Sequence, residues 1–459
     1  MACTRNGRTL DAGINADTAM LEQTVTKGIA LDHPPDLDLD AYILANGEKG
    51  PLCEVRVWLP KDPSEDGRID VTAHGATTQD IDLGAALSLV SPEGAQYHFS
   101  ASDLLVRSMS SPIGNPIDRV RIHIEHIGKI CIGDKSQACI KDAVFFLSQM
   151  HYALPRKIWT NEVTGNRSFH LHRAALQLPI LYEDGNIYDF QLDRQWSWIS
   201  DKEGDSVTAR SSPVLTYHSG KSRVSLKILQ DCAQTATLLL SLAARWPVMI
   251  YSTRAYVGID YHEVWQYPIS RNRAYGIERA EGRLVQESDL ERYVAEAARR
   301  LVGFNTNARD AVRHAVVALQ PFGNNSMEAN FLARLIALEG LARNFGSSQR
   351  GMHLKIGALL SAYPPAIQGL WPILGSNGLP GLRDLRNDLA HGVNLSRKVS
   401  GAISLASDHL QLWLEYILLA ILHVSSIHHR ESHLEAQVRA RGQELNFIRN
   451  ALHTVGLTC

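Results

Sequence analysis

The residues of this chain best suited to chemistry lie between Leu382 and Gly392, in the sequence LRDLRNDLAHG. An arginine guanidinium is a planar fork that matches phosphate oxygens, and a histidine transfers protons near neutral pH. On a helix, Arg386 and His391 are separated by about 140° around the axis and about 7.5 Å along it. Asn387 lies four residues before His391, on the same helical face. These three side chains therefore predict a site that acts on a phosphate.

The Arg-x4-His spacing alone is not specific, because it recurs elsewhere in the chain. Arg167–His172 falls in a strand-like segment, and Arg309–His314 lies in an amphipathic helical pattern with Asp310 beside the arginine. Only Arg386–His391 combines an asparagine after the arginine with a glycine after the histidine. On physical grounds alone, a solvated polar face on a packing helix is an alternative interpretation of this segment.

One other segment approaches a phosphate-binding motif. A Walker loop needs Lys and then Ser or Thr directly after its second conserved glycine. In GKICIGDKS, from Gly128 to Ser136, Asp134 intrudes between Gly133 and Lys135 and would aim a negative charge at the phosphates. The surrounding β pattern favours a hairpin turn over a nucleotide loop.

Two groups of histidines have spacings that metal sites use. His170 and His172 would share one face of a strand, and His429 and His433 would share a helical face near His428. No carboxylate or cysteine cluster nearby in sequence completes the first group, and favourable histidines near a helix C-terminus are the better account of the second. The sequence therefore predicts no metal site and no cofactor.

The elements that position the candidate site are helices. Leu382, Leu385 and Leu389 recur at helical spacing, so one face of their helix should be buried. Pro380 suits a first turn and Gly392 suits the position after a helix end. The helix should therefore cover Leu379–His391.

The chain from Ser288 onward is predicted to be all-α. SDLE at residues 288–291 is typical of a capping box, with Ser288 at the N-cap and Glu291 reaching back to it. Leu290, Val294, Ala297 and Leu301 then follow at helical spacing. Further helices are predicted at Asn307–Leu319, Ser326–Phe345, Met352–Ala362, Lys398–Ile427 and Ser432–Val455.

The first half has a different pattern. From about Asp36 to Arg271, short β-branched and aromatic runs such as RIDVTAHG alternate with Gly, Pro, Asn and Asp, which predicts strands. One helix is expected at Val224–Arg245, ending before Pro247. Its tryptophans are expected in the core or at the rim of the β fold: Trp58, Trp159, Trp196, Trp198 and Trp265.

Composition sets broad limits on function. The 459 residues are 45% hydrophobic and 20% charged, with a net charge of −2, values typical of a soluble multidomain protein. The near-neutral charge excludes a global basic field for non-specific nucleic-acid binding. The six cysteines are scattered, which favours a reducing compartment. With no signal-peptide pattern and no membrane-length apolar run, we expect a cytoplasmic protein.

These patterns predict an α+β multidomain fold, with a mainly β N-terminal domain followed by an all-α helical bundle. We expect a weakly ordered tail at residues 1–35, a β-rich domain at 36–285 and an all-α domain at 286–459. The last has a size that one hydrophobic core can serve.

The segment RNDLAHG, ahead of a long apolar helix, resembles the RNxxxH signature of the HEPN superfamily. It is most similar to the Apea-like HEPN domains of bacterial anti-phage and abortive-infection proteins. The run FLARLIALEGLARNF from Phe331 is similar to an early HEPN helix with a Leu-Glu-x-Leu run. The resemblance covers about residues 300–430.

This resemblance implies a metal-independent endoribonuclease, a hydrolase of RNA with tRNA as one candidate substrate, that needs no cofactor. His391 would be the general acid/base on the ribose 2′-hydroxyl or the leaving oxygen, and Arg386 would hold the scissile phosphate. Asn387 would orient His391 or the phosphate. The family also implies a homodimer, or a higher even oligomer, in which two motifs face one cleft.

Local charge suggests how RNA would be held. Arg383, Arg397 and Lys398 flank the motif and are candidate RNA-binding residues, offset by Asp384 and Asp388. Ordinary cations at a helix end are the alternative interpretation.

The β-rich half is predicted to be a sensor or regulatory domain that holds the ribonuclease inactive, because an uncontrolled ribonuclease would poison its own cell. A phage-derived activator would then relieve this inhibition. Two other classes remain open. One is a non-catalytic HEPN-type dimerisation or interaction protein, in which His391 would be buried and satisfied. The other is an enzyme or ligand-binding module in the β half.

Overall fold

A computed structural model describes most of the chain from residue 37 to residue 454. The described ranges are 37–45, 48–58, 67–74, 87–93, 98–110, 119–133, 140–148, 150, 157–161, 167–171, 175–200, 207–219, 224–257, 260–266, 283–320, 326–365, 367–376, 378–391, 401–424 and 433–454. The predicted tail at residues 1–35 lies outside them.

The chain forms two compact units, each built from several segments. The β-rich unit comprises Met1–Leu147, Arg194–Leu226 and Ile250–Ile269. The helical unit comprises Ser148–Asp193, Lys227–Met249 and Ser270–Cys459. The helical unit thus includes two segments that precede residue 286.

The β-rich unit is built from antiparallel strands. Strands β1 to β7 are Leu37–Ala45, Glu48–Trp58, Arg68–His74, Leu87–Val90, Phe99–Ser110, Arg119–Gly133 and Asp142–Leu147. In the same unit, β12 is Val207–His218, β13 is Ile250–Val257 and β14 is Asp260–Gln266. The strands β6, β3, β2, β1, β4 and β5 pair in that order, and β5 pairs with β6 again, so this part of the sheet closes on itself.

Strand β6 belongs to two parts of this sheet. Residues 119–124 pair with β3, and residues 129–133 pair with β14. Its other edge pairs with β5 along most of its length. From β14, the sheet continues through β13 and β7 to β12.

The core of this unit follows from the alternation seen in the sequence. In β3, Ile69, Val71 and Ala73 are buried, while the residues between them are partly or fully exposed. The same alternation supplies one continuous cluster from the inward faces of β1 to β6. The β pattern noted around GKICIG is confirmed, because Gly128 to Gly133 lie in β6. Asp134 lies outside the described residues.

The helical unit combines two hairpins with helices. Strands β8 (Lys157–Asn161) and β9 (Arg167–Leu171) pair, and β10 (Leu176–Leu181) pairs with the start of β11 (Ile187–Ser200). The helices are α1 (Leu226–Ala244), α2 (Leu290–Val302), α3 (Thr306–Leu319), α4 (Met327–Phe345), α5 (Met352–Ala362), α6 (Leu382–Ala390), α7 (Ala402–Ile421), α8 (His433–Ala440) and α9 (Gly442–Thr454).

A buried ion pair joins α1 to α7. Arg245, directly after α1, donates through Nε to Glu415 Oε1 (2.9 Å) and through Nη2 to Oε2 (2.5 Å). Their side chains are 5% and 1% exposed. Gln411 also donates to Glu415 Oε1, over 3.1 Å. The bidentate geometry and the extra donor satisfy a carboxylate that burial would otherwise destabilise.

The capping box predicted at Ser288 is wrong. A short 3-10 turn, Glu287–Asp289, precedes α2. The N-cap residue of α2 is Asp289, and its side chain makes no capping hydrogen bond. Glu291 instead accepts a hydrogen bond from the Gln177 backbone N–H on β10, 2.6 Å away. The carboxylate is thus used by a segment more than a hundred residues away, which a local pattern cannot reveal.

The last helices are shorter than predicted. Helix α7 ends at Ile421, and the run predicted as one helix from Ser432 to Val455 is divided at Arg441 into α8 and α9. Gly442 begins α9, and glycine costs about 1 kcal/mol relative to alanine inside a helix. None of the helices that the structure describes is long and apolar enough to cross a membrane. A β-rich region followed by a helical region confirms the α+β class.

Candidate functional site

Helix α6 carries the Arg-Asn-His motif and begins three residues later than predicted. The Leu382 N–H donates to Pro372 O (2.9 Å), and the Arg383 N–H donates to Ile373 O (3.0 Å). The Gly381 N–H donates to the Asp384 carboxylate, 2.7 Å away. Backbone donors at the start of the helix therefore have partners, and Asp384 caps the helix.

The segment before α6 is held by a buried tryptophan. Trp371 is fully buried, and its indole N–H donates to Pro380 O (3.0 Å). Its backbone N–H donates to His409 Nδ1 (2.9 Å), and its carbonyl accepts from the Trp413 indole (2.8 Å). Because His409 and Trp413 lie on α7, these bonds fix the start of α6 to the most buried helix of the unit.

Gly381 permits a close backbone approach at this point. A Cβ placed there would lie 2.5 Å from Leu374 C and from Gly375 N, and 2.7 Å from Ile373 O. These neighbours are backbone atoms that cannot swing aside. A residue with a side chain would therefore displace the first turn of α6.

The buried face predicted for α6 is confirmed at two of its three leucines. Leu382 and Leu385 are fully buried, and Leu389 is half-buried. Leu338 and Leu341 of α4 are also fully buried, and α4 packs against α6. The remaining face of α6 carries the motif.

Arg386 is oriented by two neighbours. Its Nη1 donates to Asn387 Oδ1 (3.2 Å), and its Nη2 lies 3.9 Å from Glu339 Oε2 on α4. The arginine side chain is 36% exposed and that of Glu339 is 10% exposed. The guanidinium thus contacts two neighbours and has N–H donors that these contacts do not use.

His391 ends the helix and is exposed. Its backbone N–H donates to the carbonyl of Asn387 (3.0 Å) and shares a longer bond to that of Asp388 (3.2 Å). Asn387 therefore contacts the other two predicted catalytic residues, Arg386 through its side chain and His391 through its backbone. The imidazole is accessible to a ligand from solvent.

The structure describes one of the three predicted RNA-binding cations. Arg383 is half-buried, and its Nε is a buried donor without a hydrogen-bond partner among the residues that the structure describes. Arg397 and Lys398 lie outside the described residues, as does Gly392.

The other candidate pairs do not form comparable sites. Arg309 on α3 forms an ion pair with Glu183, which occupies its guanidinium, and His314 is exposed. His172, His428 and His429 lie outside the described residues. Within the described ranges, no cluster of three His, Cys, Asp or Glu side chains is arranged to hold a metal ion.

Glu339 is the residue of this site that sequence reasoning did not assign. It is a carboxylate on a helical face whose neighbours Leu335, Leu338 and Ala342 are buried. A charged residue inside an apolar stripe is the signal that could have found it, because a buried carboxylate needs a partner.

In comparisons with known proteins, no protein-family model, no curated protein and no solved structure matches this chain. The functional interpretation therefore depends on the geometry around α6 and on the motif resemblance.

Proposed function

We propose that the helical unit is a HEPN-type endoribonuclease that cleaves RNA without a metal, with tRNA as one candidate substrate. The 2′-oxygen of RNA attacks the adjacent phosphorus, the new P–O2′ bond forms and the P–O5′ bond breaks. His391 takes the proton of the 2′-hydroxyl or gives one to the leaving 5′-oxygen. The products are a 2′,3′-cyclic phosphate and a 5′-hydroxyl.

The observation that carries this proposal is the pairing of an exposed His391 with a positioned, part-exposed Arg386 on one short helix. RNA supplies its own nucleophile, so the protein needs proton transfer and a cation near the developing negative charge. Arg386 meets the second need because Asn387 and Glu339 hold its guanidinium before substrate arrives.

The accessibility of His391 also separates two candidate functions. A non-catalytic dimerisation or interaction protein would have its motif histidine buried and hydrogen-bonded, as a structural group. His391 is instead exposed at a helix end, which favours the nuclease over the interaction protein.

The proposal includes a dimer, or a higher even oligomer. A single His391 cannot act at once as base for the 2′-hydroxyl and as acid for the leaving oxygen. Two copies of the motif around one strand of RNA supply both groups, and they double the local positive charge. Arg383, Arg397 and Lys398 would contact the flanking phosphates.

We further propose a cellular role in bacterial anti-phage defence by abortive infection, in the cytoplasm. The β-rich unit would keep the nuclease inactive until it meets a phage-derived activator. This assignment follows from the motif resemblance and from the separate β-rich unit.

RNA cleavage in EDTA tests the nuclease. Wild type should cleave total tRNA or other cellular RNA, and His391→Ala should reduce the rate by about 10²–10⁴-fold. Arg386→Ala should reduce it by about 10²–10³-fold. His314→Ala and Arg299→Ala, which alter exposed residues on α3 and α2, should cleave like wild type.

Expression in cells gives a second test that needs no known activator. Growth arrest by the wild-type protein, relieved by His391→Ala but not by His314→Ala, supports the nuclease. Equal cleavage by wild type, Arg386→Ala and His391→Ala would remove these residues from the mechanism.

A further inference from the structure

The β-rich unit has a polar cavity far in sequence from the Arg-Asn-His motif. It is open to solvent, has a volume of about 910 Å³, and is lined by β1, β2, β3, β5 and β6. Small-molecule sites have volumes of about 300–1,000 Å³. The cavity therefore has the size for a ligand of one or two nucleotides, and not for a folded nucleic acid.

A row of polar residues crosses this face from strand to strand. Asp38 is paired with Arg56, Arg56 with Asp70, Asp70 with His123, and His123 with Ser108. Directly paired residues project from the same face of a sheet. Five strands thus place ionisable and hydroxyl groups side by side on one face of the sheet.

Asp70 organises the cationic part of this row. It accepts from Arg68 Nε (3.0 Å) and Nη2 (2.6 Å), and it lies 2.6 Å from His123 Nδ1. Burial raises the pKa of Asp70, but the hydrogen bonds from Arg68 and His123 outweigh it and lower that pKa overall. The ionised carboxylate fixes both partners, and Arg68 keeps the donors that Asp70 does not use.

Arg121 is an exposed cation in the same cavity. Its neighbours across the strands are Thr72 on β3 and Ser110 on β5. No ion pair or hydrogen bond of its guanidinium is found within the described ranges. An exposed arginine flanked by hydroxyl groups is a combination that binds phosphate.

An indole and two guanidiniums lie together in the cavity lining. The guanidinium carbons of Arg56 and Arg68 lie 5.0 and 4.8 Å from the Trp58 ring centroid. Both arginine side chains are 52% exposed. Guanidinium planes that are held against an aromatic ring are surfaces on which nucleobases stack.

Three acidic residues of the cavity lie on β1 and β2, where Asp38 Oδ1 is 3.5 Å from Arg56 Nε. Asp38, Asp40 and Glu54 are exposed and line the cavity. Carboxylates there accept hydrogen bonds from hydroxyl or amino groups. The lining carries four carboxylates and three arginines, so it does not attract a long polyanion, but it matches a ligand with one anionic end and several donors.

We propose that this cavity binds a nucleotide. The phosphate contacts Arg121 and the neighbouring hydroxyls, the base stacks on the Arg56–Trp58–Arg68 group, and sugar or base donors reach Asp38, Asp40 or Glu54. The inference does not depend on the nuclease, because binding is measured in the absence of cleavage. A free nucleotide and a short end of single-stranded RNA share this chemistry.

Isothermal titration calorimetry on the full-length His391→Ala protein tests the proposal. The probes are AMP, GMP, CMP and UMP, the trinucleotides of the same bases, and inorganic phosphate with ribose as a reference. At least one nucleotide should bind more tightly than phosphate. Preference for a monophosphate indicates a free nucleotide, and preference for a trinucleotide indicates an RNA end; both support the site.

Two further variants locate the binding. Adding Arg121→Gln should raise the Kd of the nucleotide at least roughly tenfold, because the variant loses a hydrogen bond between a charged side chain and the phosphate. Adding Lys129→Gln, an exposed residue of β6 outside the cavity, should leave the Kd unchanged. No binding by any nucleotide, phosphate binding as tight as that of the nucleotides, or binding insensitive to Arg121→Gln would overturn the proposal.

Discussion

The guanidinium of Arg386 lies 3.9 Å from the carboxylate of Glu339, a distance that joins α6 to α4 without a direct hydrogen bond. A shorter, bidentate pair would occupy the donors that a phosphate needs. At this distance the carboxylate orients the cation and leaves its N–H groups available. The contact therefore positions Arg386 more than it stabilises the fold.

A double-mutant cycle checks this interpretation. Because Arg386 is 36% exposed, the coupling free energy between Glu339→Gln and Arg386→Gln should be about 0.5–1 kcal/mol in urea unfolding. A coupling of several kcal/mol would identify the pair as structural.

The Arg245–Glu415 pair should behave in the opposite way. Glu415→Ala leaves a guanidinium that is 5% exposed without its carboxylate, so the free energy of unfolding should fall by about 3–5 kcal/mol. Replacing both residues by apolar ones, Arg245→Met with Glu415→Leu, should restore most of that loss. Unfolding by guanidinium chloride gives the free energy of unfolding of wild type, Glu415→Ala and the double variant. A double variant less stable than Glu415→Ala would contradict the argument.

His409 should make stability depend on pH. Burial, together with the positive charge of Arg441, lowers the pKa of His409 from 6.5 to about 4. The unfolded chain then takes up a proton at a higher pH than the folded one. This pKa shift contributes about 3 kcal/mol at most to the free energy of unfolding. The contribution is complete above pH 6.5 and is lost as the pH falls from 6.5 towards 4.

His409→Gln provides the comparison, because glutamine can still accept from the Trp371 N–H. The stability difference between wild type and this variant should shrink or reverse as the pH falls from 7 to 4. A difference that stays constant over this range would show that His409 does not titrate in this way.

Gly381→Ala should disturb the start of α6. Its Cβ would lie 2.5 Å from backbone atoms of residues 374 and 375, so we expect a loss of about 1–3 kcal/mol in stability and a lower rate of RNA cleavage. Gly340→Ala on α4 is the matched control, since nothing lies within 4 Å of its added Cβ. That change should stabilise the protein by about 0.5–1 kcal/mol. Thermal unfolding of both variants gives the comparison.

Local patterns predicted most helices of this protein to within a few residues. Ser326 was predicted to start the helix that ends at Phe345, and its hydroxyl accepts from the Ala329 N–H at the N-terminus of α4. The region 352–362 was predicted with its observed bounds. These elements are defined by caps and by apolar periodicity, which are local properties of the sequence.

Contacts between distant segments could not be predicted in this way. Glu291 bonds to Gln177, and Glu339 orients an arginine 47 residues later. The cavity around Trp58 depends on the registers of five strands, although the sequence placed this residue in the core or at the rim of the fold. A single sequence contains each of these residues but not their pairing.

Helix α1 lies before residue 286 in the chain, and Lys227–Met249 belongs to the helical unit. The Tyr293 hydroxyl donates to Leu239 O (3.2 Å), and the Leu284 N–H donates to Ala243 O (2.9 Å), so α1 completes the helical unit. A fragment starting at residue 286 would lack α1 and expose the apolar surface that α1 covers. Genetic recombination that exchanges the helical unit between proteins would therefore have to carry the strands interleaved with it in sequence, which links the inheritance of the two units.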